Sequence, residues 1–370
     1  MKPLTLMIKP ASGLCQLACE YCFYRDLRTH QTVPAKQMMS KSRMERIVQL
    51  AYEAMPSHVT FIFQGGEPLL AGLDFYQAFI QAIERFNVRH IPTEITLQTN
   101  GTLLNADWAK FFAKHVVLIG ISIDGPENLH DYHRVNDQGE GTFKDVLTGL
   151  ALLKTYQVDY TVLSVVTNET VPHTEKVYHF LKTLGGLQIQ FIPCLDPLKN
   201  DDHDTYLTAA AYETFLIQLF NVWEADFWQG NRIGIRFFDD LIRVMIGLAP
   251  STCTMMGQCV LQYVVEADGR IYPCDFYATD AYVLGHIEET DFLTLTTHPK
   301  AQQFISESLK RDPACQHCAV KAWCYGGCRR EWTSQDDASH FKTRYCHTFQ
   351  HVFSHILPRL KPIAEACLKG

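Results

Sequence analysis

Through the first half of the chain, short runs of β-branched and aliphatic residues alternate with longer stretches whose apolar positions recur at helical spacing. The short runs predict strands at 4–8, 59–63, 95–99, 118–123, 160–166 and 189–192, and segments such as 42–55 and 75–86 predict amphipathic helices between them. Strands separated by helices imply βαβ units and a parallel sheet. Six such units are too few for a closed eight-stranded barrel and predict an open α/β structure, a partial (β/α)6 barrel. In sheets of this kind ligands sit at the C-terminal ends of the strands.

The pattern then changes. Residues 206–248 read as helical, with Phe215, Leu216, Leu219, Phe220 and Trp223 on one face. Further on, 262–266 and 270–272 flank Ala267-Asp268-Gly269, where Asp-Gly signals a tight hairpin turn. Cys274 closes that hairpin, and a cysteine-dense, irregular stretch continues to Cys346. Loop-rich regions of this type usually need a metal to hold them together. The expected division is therefore 1–240 for the partial barrel with its following helices, and 241–370 for a cysteine-rich extension ending in a helix.

Composition narrows the function. At 370 residues and 47% hydrophobic, the chain can bury a large core. No stretch approaches the ~20 apolar residues of a membrane span. The opening residues lack the basic-then-apolar pattern of a secretory leader, so a cytoplasmic protein is expected. A net charge of −7 without a Lys/Arg tract argues against a nucleic-acid partner. Cysteine stands out, with thirteen residues, eleven of them in two blocks. In a chain that is neither short nor visibly exported, clustered thiols point to metal ligation rather than disulfides.

The first block, Cys15-x3-Cys19-x2-Cys22, follows the first predicted strand. Three thiolates on one loop can hold three corners of a [4Fe–4S] cube and leave the fourth iron open; a zinc knuckle is the alternative that spacing leaves standing. The second predicted strand ends in Gln64-Gly65-Gly66-Glu67-Pro68, whose glycines permit close backbone approach to a ligand, with a carboxylate suited to an ammonium nearby. Ser122-Ile123-Asp124-Gly125-Pro126 ends the fourth, and His130-Asp131-Tyr132-His133-Arg134 follows. This series resembles the radical S-adenosylmethionine (SAM) superfamily. The resemblance implies SAM chelated to the open iron and cleaved by one electron to methionine and a 5′-deoxyadenosyl radical. It implies SAM contacts at Tyr21, Gly66, Ser122, Arg134 and Leu195, where a guanidinium fork suits the SAM carboxylate.

The second block comprises Cys253, Cys259-x9-Gly269-x4-Cys274, Cys315-x2-Cys318-x5-Cys324-x3-Cys328 and Cys346. It resembles the SPASM extension, which carries auxiliary clusters in radical SAM enzymes that modify peptides or proteins. The resemblance implies two further [4Fe–4S] clusters, three in all. Cys253, Cys259, Cys274 and Cys328 would hold the nearer auxiliary cluster; Cys315, Cys318, Cys324 and Cys346 would hold the farther one. Two four-cysteine zinc sites are the alternative on spacing alone. Cys194 and Cys367 receive no role.

Within the SPASM proteins the chain resembles the anaerobic sulfatase-maturating enzymes most. The likeness lies in Ile8-Lys9-Pro10, Gln64-Gly65-Gly66-Glu67-Pro68, Leu97-Gln98-Thr99-Asn100-Gly101-Thr102, Cys194-Leu195-Asp196-Pro197 and Tyr272-Pro273-Cys274-Asp275-Phe276-Tyr277. The family oxidises a cysteine or serine of a sulfatase to Cα-formylglycine. The resemblance implies Asp275 as proton acceptor, a carboxylate being a suitable base, with Tyr24, Gln64 and Gln98 on the substrate side. The partners it implies are an unfolded sulfatase chain carrying Cys/Ser-x-Pro/Ala-x-Arg and an electron donor such as flavodoxin or ferredoxin. The rival readings are a SPASM enzyme that forms thioether or carbon–carbon crosslinks in a peptide, and a non-catalytic zinc-stabilised binding module. The first is disfavoured because the cysteines begin at residue 15, ahead of which a docking domain has no room. The second leaves the strand-end motifs without a role.

Overall fold

The computed structural model describes residues 2–32, 37–198, 206–334 and 340–369. The chain divides into two compact units. The first is built from the chain up to Ser122, from Asp131–Thr161 and from Val260–Phe304; the second from Ile123–His130, Val162–Cys259 and the chain from Ile305 onward.

In the first unit, β1 (Leu4–Ile8), β2 (Val59–Phe63), β3 (Thr93–Thr99) and β4 (Leu118–Ser122) form a parallel array. Leu4 faces Val59, Val59 faces Thr93, and Thr96 faces Leu118. Helices follow the strands because the intervening sequence carries caps as well as apolar stripes. Ser40 accepts from the Arg43 amide at the start of Lys41–Glu53, and Asn105 accepts from Asp107 and Trp108 at the start of Ala106–His115. The buried faces of Lys41–Glu53 and Leu73–Phe86 pack on the sheet, where Phe61, Phe63, Tyr76 and Phe79 form an edge-to-face aromatic cluster. Among these four, two strand bounds differ from the sequence reading. The third begins at Thr93 rather than 95, because Val59 pairs back to it, and the fourth stops at Ser122 rather than 123.

Strand β5 (Tyr160–Val166) begins in the first unit and runs on into the second, where it pairs in parallel with β6 (Ile189–Pro193), Val162 facing Ile189. Six strands thus alternate with helices, as the hydrophobic pattern predicts. The second unit also contains Ala209–Trp228, Arg236–Met245 and Cys346–Lys369. The face read from sequence in the 206–248 stretch is buried in full, Phe215 through Trp223. That stretch forms two helices, broken at Gly230, whose φ of 91° suits glycine. Tyr212 of Ala209–Trp228 meets Tyr345 and Phe349 at and near the start of the last helix. A short ladder, β10 (Trp332–Ser334) with β11 (Phe341–Thr343), completes this unit after the three strands described next.

The expected hairpin forms as β7 (Val264–Val265) and β8 (Arg270–Tyr272), with β9 (Gly285–His286) added antiparallel beyond it. Gly269 takes a φ of 95° and donates its amide to the Glu266 carbonyl, closing the turn. The sequence alone did not show where this hairpin docks. β7 pairs in parallel with β1 on the side away from β2, Met7 facing Val264 and Ile8 facing Val265. The first unit's strand order is therefore β4-β3-β2-β1-β7-β8-β9. Among the described residues, no helix is long and apolar enough to cross a membrane.

Candidate active site

The β1–β7 pairing sets the site. The register that puts Ile8 against Val265 carries the next residues, Lys9 and Glu266, to the same strand end, and the Lys9 amide donates to the Val265 carbonyl. Lys9 Nζ then lies 3.0 Å from Glu266 Oε1 and 2.8 Å from Asp275 Oδ1, and 4.6 Å from the centre of the Tyr24 ring. All four side chains are buried, Lys9 to 1% exposure. Burial alone would push the ammonium pKa down, but the Asp275 and Glu266 carboxylates hold it above the usual lysine range, so Lys9 is a cation throughout physiological pH.

Asp275 opens a one-turn 3₁₀ segment directly after Cys274. Its Oδ2 accepts from the Tyr24 hydroxyl at 2.6 Å and from Gln64 Nε2 at 3.3 Å; Gln64 also donates to Tyr24 Oη at 2.8 Å. Burial, then the Asp275 charge, raise the Tyr24 pKa well above its ordinary value and keep the phenol a donor. Three residues singled out from sequence, Tyr24, Gln64 and Asp275, thus converge. Gln98 lies half-buried in β3 opposite Gly120, and no hydrogen bond among the described residues ties it to this group.

The loop between β1 and helix Phe23–Thr29 carries Cys15, Cys19 and Cys22, with Cys22 at the helix start. Cys15 Sγ accepts from the Leu17 amide at 3.4 Å and from Asn100 Nδ2 at 3.5 Å. Its pKa is pushed up to about 12, first by burial and further by the charges of Glu67, Cys19 and Cys22. Thiols that repel one another's ionisation in this way suit a cationic iron–sulfur centre, which removes the repulsion. In the second unit Cys324 is likewise pushed up to about 12, by burial and then by Cys346, Cys315 and Cys318, so these four thiols share one field. Burial, then the Cys253 charge, raise Cys259, whose amide donates to the Ser308 hydroxyl. The Asp240 carboxylate accepts from the Ser251 and Thr252 amides and presents the segment that starts at Cys253. Cys328 belongs to the second unit and Cys274 to the first. Among the described residues, no three His, Cys, Asp or Glu side chains converge on one point as a single ion would require.

The Gly65-Gly66 turn rests on the cysteine loop. The Gly66 amide donates to the Ser12 carbonyl at 2.7 Å and the Glu67 amide to the Leu14 carbonyl at 2.8 Å. A Cβ on Gly66 would stand 2.0 Å from the Leu14 carbonyl oxygen. Gly66→Ala should therefore displace the residues before Cys15, and the reconstituted variant should bind fewer irons per chain than the parent.

The carboxylate of Glu67 does not have the place its sequence neighbourhood suggested. Rather than standing open to an ammonium, it is fully buried and accepts from the Leu69 amide, the Thr99 hydroxyl and the Asn100 amide, strapping the β2 end to the β3 end. Burial raises its pKa to about 7 against the opposing pull of those donors. The folded chain then holds this proton more tightly than the unfolded chain, whose value is 4.5. The stability contribution is full below about pH 4.5 and is lost as pH rises to about 7. Urea titrations of the apo-chain across this window should show that fall, and Glu67→Gln should flatten it.

Of the five residues expected to contact SAM, Tyr21, Gly66, Ser122 and Arg134 lie in the first unit and Leu195 in the second, just after β6. The Arg134 guanidinium sits over the Tyr21 ring at 5.6 Å. Lys9 and Asn100 stand in motifs noted from sequence but given no role there; neither residue type signals catalysis without its partners. Asn100 Oδ1 also accepts from Gln16 Nε2 and the Thr102 amide, bracing the cysteine loop against the β3 end.

Comparison with known proteins agrees with this geometry. Residues 10–181 match the radical SAM superfamily, and residues 253–319 match SPASM, an iron–sulfur cluster-binding domain. The chain is a radical SAM enzyme with a SPASM region, built on the α/β radical SAM fold. It is 40% identical to the cysteine-type anaerobic sulfatase-maturating enzyme of Clostridium novyi, over 99% of this chain and 98% of that one. It is 31% identical to the serine-type enzyme of Klebsiella aerogenes, over 98% of this chain and 87% of that one. The solved structure of native anSMEcpe with bound AdoMet and Cp18Cys peptide superposes with a TM-score of 0.93 at 38% identity, covering 99% of both chains. The chain belongs to the anaerobic sulfatase-maturating enzymes.

Proposed function

We propose that this enzyme oxidises a cysteine in an unfolded sulfatase chain, within a Cys-x-Pro/Ala-x-Arg motif, to Cα-formylglycine, and that Asp275 accepts the thiol proton. The observation that carries this reading is the buried carboxylate of Asp275, held from three sides directly after Cys274. A carboxylate offers about four acceptor positions. Tyr24 and Gln64 occupy two of them on Oδ2 and Lys9 is ion-paired to Oδ1, which leaves acceptor capacity for the substrate thiol. Lys9, Tyr24 and Gln64 hold the carboxylate in place before substrate arrives, so little reorganisation accompanies proton transfer.

Three [4Fe–4S] clusters and SAM fit the donor sets. Cys15, Cys19 and Cys22 would hold the SAM-binding cluster. Cys253, Cys259, Cys274 and Cys328 would hold one auxiliary cluster, and Cys315, Cys318, Cys324 and Cys346 the other. When bound, these groups supply the radical that removes the substrate β-hydrogen and a sink for the remaining electron. Tyr21, Gly66, Ser122, Arg134 and Leu195 would contact SAM, with Gln98 on the substrate side. Loss of the β-hydrogen atom, the thiol proton and one electron leaves a thioaldehyde, which water converts to the aldehyde with release of hydrogen sulfide. The cysteine preference follows the higher identity to a cysteine-type relative than to a serine-type one. A small electron carrier such as flavodoxin or ferredoxin, a cytoplasmic location, and separate roles for 1–240 and 241–370 complete the reading.

The test is an anaerobic reaction of the reconstituted enzyme with SAM, a reductant and a Cys-x-Pro-x-Arg peptide, followed by mass spectrometry. Formylglycine with 5′-deoxyadenosine is the expected outcome. Deoxyadenosine with a crosslinked or unchanged peptide would overturn it.

A further inference from the structure

Glu266 has one oxygen on Lys9; the other, Oε2, is buried with no hydrogen-bond partner among the described residues. A carboxylate oxygen withdrawn from water and left unmet is costly, and native structures rarely tolerate one. Glu266 also lines a cavity of about 10 Å3, together with Lys9, Ser12, Tyr24, Arg28 and Gln31. That is close to the smallest space that admits one water, roughly 10–15 Å3. The walls supply the polar partners such a water needs. Ser12 Oγ accepts from the Ala267 amide, so its own proton is available to donate inward. Gln31 spends its amide nitrogen on the Ala278 carbonyl, which leaves its oxygen as an acceptor. The orphan oxygen and the cavity account for each other.

We propose that this cavity binds one ordered water that donates to Glu266 Oε2, and that Glu266 with this water is the positioning element for Lys9 and, through Lys9, for Asp275. The proposal rests on the reading of Asp275 as the base. Lys9 has three protons to direct. The ammonium donates to Glu266, is ion-paired to Asp275 Oδ1 and faces the Tyr24 ring. Were Glu266 free to turn toward its unmet oxygen's own partners, Lys9 would lose one of two anchors. Asp275 Oδ1 would then be held by a cation that can swing. Water at Oε2 removes that freedom and fills the cavity that Lys9 and Tyr24 also line.

Two readouts test this. An anaerobic high-resolution crystal structure of the loaded wild-type enzyme should show one water within hydrogen-bond distance of Glu266 Oε2; an empty or apolar-filled cavity would overturn the proposal. In peptide oxidation, Glu266→Gln should lower kcat on the order of 10-fold with the peptide KM unchanged. It should also raise the yield of 5′-deoxyadenosine per formylglycine, because hydrogen abstraction continues while the thiol proton meets a misaligned base. An unchanged kcat and product ratio would overturn the positioning role, as would a parallel collapse of KM. If Glu266→Gln does not fold, Ser12→Ala, which keeps every charge, should lose the water and move the product ratio the same way; an unmoved ratio then overturns the role. The two readings fail separately. Asp275→Asn with full formylglycine output would remove the base, whereas the water is seen in the resting protein whatever Asp275 does.

Discussion

Asp275→Asn should cut formylglycine formation by roughly 10²–10⁴-fold, the usual weight of a positioned general base, while 5′-deoxyadenosine is still produced. Asparagine keeps the shape and can still accept from Tyr24 and Gln64 through its oxygen. It cannot take up the thiol proton, and it replaces an acceptor that faces Lys9 Nζ at 2.8 Å with a neutral amide. Lys9 retains its Glu266 partner, so the variant should fold, bind iron and cleave SAM. The measurement is the ratio of deoxyadenosine to oxidised peptide by mass spectrometry. A ratio close to that of the parent, at undiminished rate, would take Asp275 out of the chemistry.

Lys9→Met should destabilise the folded chain by about 3–5 kcal/mol, because it removes one partner from a buried ion cluster and strands the others. Methionine fills much of the same volume, so packing is nearly conserved and the loss is electrostatic. What remains is Glu266 and Asp275, both almost wholly buried, with no cation between them. Two buried carboxylates without their shared cation repel each other, and Asp275 loses the group that holds its Oδ1. Chemical denaturation should therefore show a lower midpoint, and activity should fall further than stability. Lys9→Arg should rescue neither well, since a wide planar guanidinium does not fit a site bounded by Tyr24 and two carboxylates and shaped for a compact ammonium. A Lys9→Met variant as stable as the parent would show that the cluster is better solvated than its burial implies.

Much of this site is legible in the sequence, for reasons that differ residue by residue. The strands show because each is a short apolar run between helical stripes, and the cysteine blocks because thiols clustered at fixed short spacing point to ligation. Tyr24 and Gln64 stand out by position, one just past a reactive motif and the other at a strand end. Lys9 shows only as part of Ile8-Lys9-Pro10; nothing local marks a lysine as buried, and its burial depends on carboxylates that the sequence places far away. Glu67 misleads for the converse reason. A carboxylate beside two glycines looks ready for a ligand, yet backbone amides, one of them at the β3 end, take up its oxygens. The parallel docking of the hairpin against β1 is invisible too, because Val264–Val265 is too short to announce a partner.

That docking has a consequence for how the enzyme comes into being. Lys9 and Glu266 are 257 residues apart in the chain. At a synthesis rate of about 5–20 residues per second, the first strand leaves the ribosome roughly 13–50 s before its outer neighbour exists. During that interval β1 has one open edge and Lys9 has neither of its carboxylates, a state prone to pairing with other chains. The Lys9–Glu266–Asp275 cluster is thus among the last features to assemble, on a topology whose long-range pairing folds slowly. Nascent chains arrested before residue 266 should need chaperone cover, so the maturing enzyme passes through a window of dependence on the cell's folding machinery.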